Sequence, residues 1–277
     1  MTVVVVTDTS ANIDPLEAEQ LGLIIVPLHV VVDGEELRED VDEVPDDIAT
    51  RQATTAAASP GELQVAYRRA LAASEGSGVV GIHISSGLSA TYIAAKQVAG
   101  QFDGQVRVVD SKTAGLAVGF AALAAARAAQ AGADLDEVRK IALTTAERSK
   151  ATFMVDRLDH LRRGGRIGPI TSFVGNALSM KPVLEVHNGK LFLAHKVRTQ
   201  SKALAKLIDM TVEACPHGAL DIGVQHVDSP GQAADLATTL AERLDSERVR
   251  IAHFGPSLAI HLGPGAVAVI VVPKVAE

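Results

Sequence analysis

The chain has 277 residues, of which 47% are hydrophobic and 21% are charged, a balance that excludes a disordered chain and is ordinary for a globular protein. At roughly 150 residues per domain, this length predicts two domains, each able to bury a core. The net charge of −7 and an aromatic content of 3% argue against nucleic-acid binding, which needs basic surfaces and stacking side chains.

Residue types also limit the ligands and the compartment. Because the chain has no Trp, the wall of an apolar cavity would be mainly aliphatic, which suits alkyl chains better than flat rings. Cys215 is the single cysteine, so an internal disulfide and a cysteine-based metal site are excluded, in agreement with a reducing cytoplasm. The start "MTVVVVTDTS" lacks the features of a signal peptide, and the longest apolar stretch, at 113–126, is too short to span a bilayer.

Charge is distributed unevenly along the chain. Residues 148–206 contain 12 Lys and Arg and 3 Asp and Glu, a net +9, whereas the remaining residues contain 14 and 30, a net −16. A basic stretch on an acidic chain is a candidate docking surface for an anionic partner. A solvated surface without a partner is the alternative.

In the first half, apolar runs alternate with amphipathic stretches, the pattern of βαβ units. We therefore predict an α/β domain over residues 1–150, with a mainly parallel sheet and flanking helices. Ser59, Pro60 and Glu62 predict a helix start with a capping box. The predicted strands are Val3–Val6, Leu23–Val32, Val79–Ile84 and Val106–Val109, and the predicted helices are Pro15–Leu21, Gly61–Ala73, Ser89–Ala99, Ala114–Ala131 and Asp134–Glu147.

After about residue 150 the pattern changes, and we predict a second α/β domain over residues 151–277 with a mixed sheet and helices. "KPVLEVHNGKLFLAHKVRT" alternates apolar and polar residues on both sides of "NG", a strong hairpin signal. The remaining predicted elements are helices at Ser201–Ala214 and Pro230–Leu244 and strands at Asp221–Val227, near Val249 and at Val267–Val272.

The stretch "GIHISSGLSATY", residues 81–92, leads from an apolar strand into several hydroxyls and then a helix. This arrangement points backbone N–H groups and hydroxyls at one spot, where a negative group would be stabilised. Ser89 could also be a hydrolase nucleophile, but "GLSAT" lacks the last Gly of the G-x-S-x-G elbow. In the simplest interpretation, Ser89 only caps its helix.

Two threonines, Thr54 and Thr55, stand just before the "SPGE" helix start. They could join Ser89 around one anion if the two loops meet. Taken alone, the stretch "ATTAAASPGE" is typical of an ordinary loop.

The stretch "RLDHLRRGGRIGP", residues 157–169, predicts a helix that ends in Arg162 and Arg163 and stops at a double glycine. Basic residues at a helix C-terminus are expected from the helix dipole. Arg166 lies beyond the glycines, in a turn before a helix predicted near Pro169, so the dipole does not explain it.

Near the C-terminus, His261 stands before "GPG" and a buried strand. A histidine there can donate a hydrogen bond to an anion, although many such residues are ordinary loop positions. The other histidines show no metal-ligand spacing, so we predict no metal site. The P-loop and dinucleotide-binding patterns are both absent, so a nucleotide would have to come from another protein.

These stretches, in this order, resemble the DegV family of bacterial fatty-acid-binding proteins, which includes the fatty-acid-binding subunits of fatty acid kinase. The resemblance runs nearly end to end. It rests on "VTDTSANI", "IIVPLHVVVDG", "SPGEL", "ISSGLSATY", "VVDSKTAGLAVG", "LRRGGRIG", "KPVLEV", "KVRT" and "HLGPG".

The resemblance implies two α/β domains with a long-chain fatty acid in an apolar tunnel between them, its carboxylate held by hydroxyls and backbone N–H groups. By motif, Thr55, Ser89 and His261 correspond to the carboxylate-binding residues of the family. Arg166 and Arg198 match family arginines near the head group or at the surface that docks the kinase, and we expect Arg163 to be exposed for docking.

The same resemblance implies a cytoplasmic carrier with no catalytic residues and no cofactor of its own. Its partners would be the fatty acid and an ATP-dependent fatty acid kinase that forms an acyl-phosphate. The basic residues 148–206 are where we expect the kinase or a transient membrane contact.

One departure from the family pattern concerns the loop before the SPGE helix. Ala56, Ala57 and Ala58 replace a Ser, a Gln and a Pro, which removes polar contacts near the head group. We expect Thr54 to compensate for this loss.

Two other functions remain open at the level of sequence. One is a serine hydrolase of acyl esters, with Ser89 as nucleophile, His261 as base and Asp228 as the residue that orients the base. The other is a lipid-responsive regulator that acts without a kinase.

Overall fold

The computed structural model describes residues 2–168 and 180–274. The chain forms two compact units: unit 1 comprises Met1–Val44 and Thr55–Glu147, and unit 2 comprises Pro45–Thr54 and Arg148–Glu277. The assignment of Pro45–Thr54 to unit 2 was not predicted, because this segment lies within the sequence of the first domain.

Unit 1 contains a four-stranded parallel sheet in the order β2-β1-β6-β7. Its strands are short apolar runs, as expected where helices cover both faces of a parallel sheet. The strands are β1 (Val4–Asp8), β2 (Ile24–Val26), β6 (Val79–His83) and β7 (Val106–Asp110). The helices are α1 (Pro15–Gln20), α2 (Pro60–Ser74), α3 (Thr91–Ala99), α4 (Leu116–Gln130) and α5 (Leu135–Arg148).

Alternate residues of the strands divide the core of unit 1 in two. On one face, Val5 and Ile82 pack with residues of α4 and α5, whereas Val6 and Val106 pack with α2 and α3 on the other. This two-residue alternation follows from strand geometry.

The strand order of unit 1 reverses between β1 and β6. The chain passes from β1 to β2 on one side, and then returns to place β6 on the other side of β1. In open α/β sheets, ligands bind at the carboxyl ends of the strands at such a point. Asp8 and His83, the last residues of β1 and β6, therefore lie where this rule places a ligand.

A smaller sheet has the order β4-β3-β5, with strands β3 (His29–Val32), β4 (Glu35–Arg38) and β5 (Ala53–Ala56). The prediction of one strand over Leu23–Val32 was wrong, since β2 ends at Val26 and β3 begins at His29. Pro27, which has no N–H to donate, lies at the break. The prediction of a loop at Thr54 and Thr55 was also wrong, because both residues lie in β5.

Unit 2 contains a six-stranded mixed sheet in the order β10-β9-β8-β13-β11-β12, in which only the β11–β12 pairing is parallel among the described pairs. The mixed sheet was predicted. The strands are β8 (Lys150–Met154), β9 (Lys181–His187), β10 (Lys190–Val197), β11 (Ala219–His226), β12 (Arg250–His253) and β13 (Val267–Pro273); the helices are α6 (Asp159–Arg163), α7 (Gln200–Ala214), α8 (Pro230–Arg243) and α9 (Pro256–Leu262).

The hairpin predicted in unit 2 is confirmed. Asn188 (φ 48°) and Gly189 (φ 78°) both adopt the left-handed conformation between β9 and β10. The core behind the sheet contains Leu207 of α7 and Leu240 of α8. The helix predicted near Pro169 lies outside the described residues.

Helix starts follow the sequence closely. The capping box at Ser59 and Glu62 is confirmed at the start of α2. Helix α3 begins at Thr91, two residues later than predicted. In the described part of the chain, no helix combines the length and apolarity needed to cross a membrane.

Candidate functional site

A buried polar pair marks the strand ends at the switch point of unit 1. The Asp8 carboxylate accepts hydrogen bonds from His83 Nδ1 at 3.0 Å and from the backbone N–H of Ile84 at 3.0 Å. The side chains of Asp8 and His83 are both fully buried. A carboxylate removed from water needs such donors, and here they tie the ends of β1 and β6 together.

The polar chain continues from His83 into helix α2. His83 Nε2 lies 2.9 Å from the hydroxyl of Tyr67, which is fully buried. Burial, together with the charge of Asp8, raises the pKa of Tyr67, so its hydroxyl stays protonated. With Nδ1 donating to Asp8, the hydrogen-bond pattern assigns Nε2 as acceptor of the tyrosine proton.

Gly81 makes room for this chain. A Cβ at Gly81 would lie 2.5 Å from the Tyr67 hydroxyl, so any larger residue would displace the tyrosine. The chain Asp8–His83–Tyr67 thus fixes the point at which the loop 84–90 leaves the sheet.

The loop itself is held by its own hydrogen bonds. Ser85 donates its N–H to the carbonyl of Thr113 at 2.9 Å, and its side-chain oxygen accepts the N–H of Gly87 at 3.1 Å. Ser86 donates its N–H to Asp110 Oδ1 at 3.1 Å. The hydroxyl-rich stretch is therefore a fixed scaffold at the carboxyl ends of β6 and β7.

Ser89 lies at the end of this loop and is half-buried. Its Oγ is 2.9 Å from Thr91 Oγ1 and accepts the N–H of Thr91 at 3.3 Å. The N-cap residue of α3 is Ala90, without a side-chain cap hydrogen bond, so the interpretation of Ser89 as the helix cap was wrong; Ser89 instead bonds to the first residue of the helix. Only one of the two hydroxyl protons lies between these oxygen atoms. When Thr91 donates that proton, the Ser89 hydroxyl can donate its own proton to a ligand.

Thr54 and Thr55 are neighbours in strand β5, so their side chains point to opposite faces. Thr55 is half-buried, whereas Thr54 is exposed. This geometry does not favour the prediction that Thr54 and Thr55 hold the same anion.

In unit 2, His261 lies in α9 against the end of α6. A Cβ at Gly164 would lie 2.0 Å from His261 Nδ1, and a Cβ at Gly263 (φ 77°) would lie 2.5 Å from the ring of His160. Gly164 and Gly263 therefore allow His261 and His160, respectively, to approach the backbone closely.

The environment of His261 keeps it neutral at pH 7. Burial, with the nearby charges of Arg166 and His160, lowers its pKa to about 4. Arg166 is half-buried; burial lowers its pKa, and its guanidinium donates to the carbonyl of Gly164. Arg166 and His261 therefore form a group of one cation and one neutral imidazole, which can both donate to a carboxylate.

The two remaining predicted arginines are exposed. Arg163 ends α6, with Nη2 at 3.0 Å from His160 Nδ1, and Arg198 directly follows β10. The structure thus brings Arg166, Arg163 and His261 into one region of unit 2, and it places Ser89 and Thr55 in unit 1. Within residues 2–168 and 180–274, no group of three or more metal-binding side chains lies close together.

Sequence analysis missed the polar groups that support the site. Asp8, His83 and Tyr67 were not singled out, although a histidine within the apolar run "VVGIHI" and an aspartate ending "VVVVTD" are visible signals. His160 was missed because its proximity to His261 arises only from the packing of α6 on α9.

Comparisons with known proteins cover nearly the whole chain. A family model described as "Uncharacterised protein, DegV family" matches residues 2–274. A DegV domain-containing protein of Mycobacterium tuberculosis is 50% identical over 272 residues, which cover 98% of this chain and 97% of the relative.

Solved structures show the same similarity. One whose name reads "Fatty Acid Binding of a DegV family Protein from Thermus thermophilus" has a TM-score of 0.90 and 30% identity, with 98% of this chain and 99% of the other covered. The protein from Bacillus subtilis named as DegV, a fatty acid binding protein, has a TM-score of 0.88, 30% identity and the same coverage.

Proposed function

Because the chain belongs to the DegV family, we propose that it binds a long-chain fatty acid and presents the carboxylate to an ATP-dependent fatty acid kinase. The observation that carries the proposal is the hydroxyl loop ending at Ser89, which is held at the switch point of a parallel sheet. Relatives named as fatty acid binding at 30% identity support the choice of ligand.

We assign the acyl chain most of the binding free energy. A tail of about 15 methylene groups contributes on the order of 12 kcal/mol, at about 0.8 kcal/mol each, before the costs of ordering are subtracted. The aliphatic composition suits such a tail. The tunnel that would enclose it remains a prediction.

The polar residues would then orient the head group. Thr55 and Ser89 would donate hydroxyl protons, and neutral His261 and charged Arg166 would donate from nitrogen. A charge-assisted hydrogen bond contributes about 1.5–3 kcal/mol. With these donors the chain needs no activated nucleophile, and we propose that it acts as a binding subunit, with catalysis by the kinase.

The serine hydrolase alternative gains no support from the described contacts of Ser89. Its side-chain oxygen interacts with Thr91, and its N–H donates to the Ser85 carbonyl. Covalent labelling of Ser89 by a fluorophosphonate would favour the hydrolase. The cytoplasmic location and the lipid-responsive regulator both remain predictions.

The first test is native mass spectrometry of freshly purified protein, followed by organic extraction. We expect a bound species with the mass of a long-chain fatty acid, released intact without hydrolysis. A protein that carries no lipid and accepts no added fatty acid would contradict the proposal, and would point to Ala56, Ala57 and Ala58 as the change that altered the ligand.

The second test removes one hydroxyl from the head-group site. Ser89→Ala should weaken binding of a long-chain fatty acid by roughly tenfold to a hundredfold, the loss expected for one hydrogen bond to a carboxylate. Ser86→Ala is the matched control, since Ser86 lies in the same loop but donates its hydroxyl proton to Asp110. Equal affinity of Ser89→Ala and the wild type, measured by calorimetry, would remove Ser89 from the site.

A further inference from the structure

A groove runs along the open edge of the unit 1 sheet, away from the strand ends that carry Ser89. Strand β7 is the last strand of this sheet in the described residues, and helices α3 and α5 flank it. The groove has a volume of about 470 Å³. Small residues, among them Gly100 and Gly104, leave it open.

The backbone at this edge has outward-facing hydrogen-bonding groups. The N–H of Val79 donates to the carbonyl of Gln105 at 2.8 Å, and the N–H of Ser111 donates to the carbonyl of His83 at 3.2 Å. In a parallel ladder, these two bonds direct the odd-numbered residues of β7 towards β6. The N–H and C=O groups of Val106 and Val108 therefore point into the groove.

Both walls of the groove carry positive charge. Lys96 extends from α3 on one face of the sheet, and Arg139 extends from α5 on the other, beside Arg107 of β7. Asp136 is the one acidic residue among those that line the groove, 3.8 Å from Arg107, and both of these side chains are exposed.

This positive charge contrasts with the rest of the unit. The ranges 1–44 and 55–147 contain nine Lys and Arg and 19 Asp and Glu, a net −10. Three of the nine basic residues line this one groove. An acidic segment would therefore be attracted to this groove more strongly than to the surrounding surface of unit 1.

We propose that an extended acidic segment of a partner protein binds here as an added strand along β7. Main-chain hydrogen bonds to Val106 and Val108 would provide affinity, as in other strand additions. Side chains of an added strand alternate between the two faces, so acidic residues would meet Lys96 on one side and Arg107 and Arg139 on the other. None of the residues that line this groove is among those proposed to hold the fatty-acid carboxylate, and the docking proposal does not depend on that site.

The test uses a fluorescent peptide of sequence Val-Glu-Glu-Val-Glu-Glu, about the length of a common strand, in which neighbouring Glu residues point to opposite faces. We expect saturable binding to the full-length protein and slower hydrogen exchange at the amides of Val106 and Val108. Lys96→Glu combined with Arg139→Glu should weaken binding at least about tenfold. Arg68→Glu combined with Arg69→Glu is the control of equal charge, since both arginines are exposed on α2 outside the groove.

A second probe separates strand addition from simple charge attraction. The same peptide with alternate backbone nitrogens methylated keeps its charge but loses main-chain donors on one edge, and we expect it to bind at least about tenfold more weakly. Equal binding of both peptides would overturn the added strand. Unchanged binding by the protein with Lys96→Glu and Arg139→Glu, or no binding of the acidic peptide, would overturn the proposed docking surface. The positive charges would then be explained as protection of an open sheet edge against pairing with other strands.

Discussion

At the scale of single residues, the candidate site depends on buried polar groups that hydrogen-bond to one another. Asp8, His83 and Tyr67 form such a chain in unit 1. Removal of one partner would leave the others buried without a donor or an acceptor, which costs about 1–3 kcal/mol per group. These residues position the loop of Ser89 and need not contact a ligand.

The lowered pKa of His261 leads to a prediction of how the stability of the protein depends on pH. In the folded protein burial lowers its pKa to about 4, whereas the usual pKa of a histidine is 6.5. Between these values the unfolded chain takes up a proton that the folded chain does not, so the free energy of unfolding should fall as the pH decreases from 6.5 towards 4. The loss from this residue is about 2–3 kcal/mol.

Urea unfolding at a series of pH values checks this prediction. His261→Gln, which has no group that titrates in this range, should show a weaker pH dependence than the wild type. His217→Gln is the control, because His217 is exposed. If His261→Gln retains the full pH dependence, the proton uptake belongs to other groups.

At the scale of elements, helix α2 starts next to the Thr55 segment and is set by its capping box. Ser59 Oγ accepts the N–H of Glu62 at 3.2 Å, and Glu62 Oε2 accepts the N–H of Ser59 at 3.0 Å. Burial raises the pKa of Glu62, but hydrogen bonds from Ser59 and His29 outweigh burial and keep it below its usual value. The cap thus stays charged at neutral pH.

Ser59→Ala should lower the free energy of unfolding by about 1 kcal/mol, because the first turn of α2 loses an acceptor and the carboxylate loses a donor. The midpoint of urea unfolding measures the change. Ser77→Ala, in the turn after α2, serves as the control. No shift for Ser59→Ala would mean that water replaces the cap without cost.

Elements with strong local signals were predictable from the sequence. The helix start at Ser59 and the hairpin at Asn188 and Gly189 depend on residues close in the chain, and both are confirmed. The strand at Leu23–Val32 failed because Pro27 removes a donor in the middle of an apolar run. The placement of Pro45–Thr54 in unit 2 depends on contacts with residues that are far away in the sequence, and a local sequence pattern cannot predict such contacts.

The same distinction holds for the candidate site. Ser89 could be found because hydroxyls between a strand and a helix are a local pattern. Tyr67 and His83 lie 16 positions apart and meet only because α2 packs on β1 and β6. The low pKa of His261 likewise arises from its neighbours in space.

At the scale of the whole molecule, the main feature is the separation of charge along the chain. Residues 148–206 have a net charge of +9 within an otherwise acidic protein. Such a region attracts an acidic partner or an anionic surface at long range, and salt weakens the attraction. Arg163 and Arg198 are exposed members of this region.

If the protein serves a fatty acid kinase as proposed, Arg163→Glu should reduce acyl-phosphate formation in a reconstituted kinase assay by roughly tenfold at low salt, with a smaller effect at high salt. The affinity for fatty acid should stay unchanged, since Arg163 is exposed at the end of α6. Arg243→Glu, an equal charge change on α8 outside residues 148–206, should leave kinase activity near that of the wild type. Parallel loss of kinase activity and fatty-acid binding in Arg163→Glu would assign this arginine to the lipid site, because a docking residue affects only the encounter with the partner.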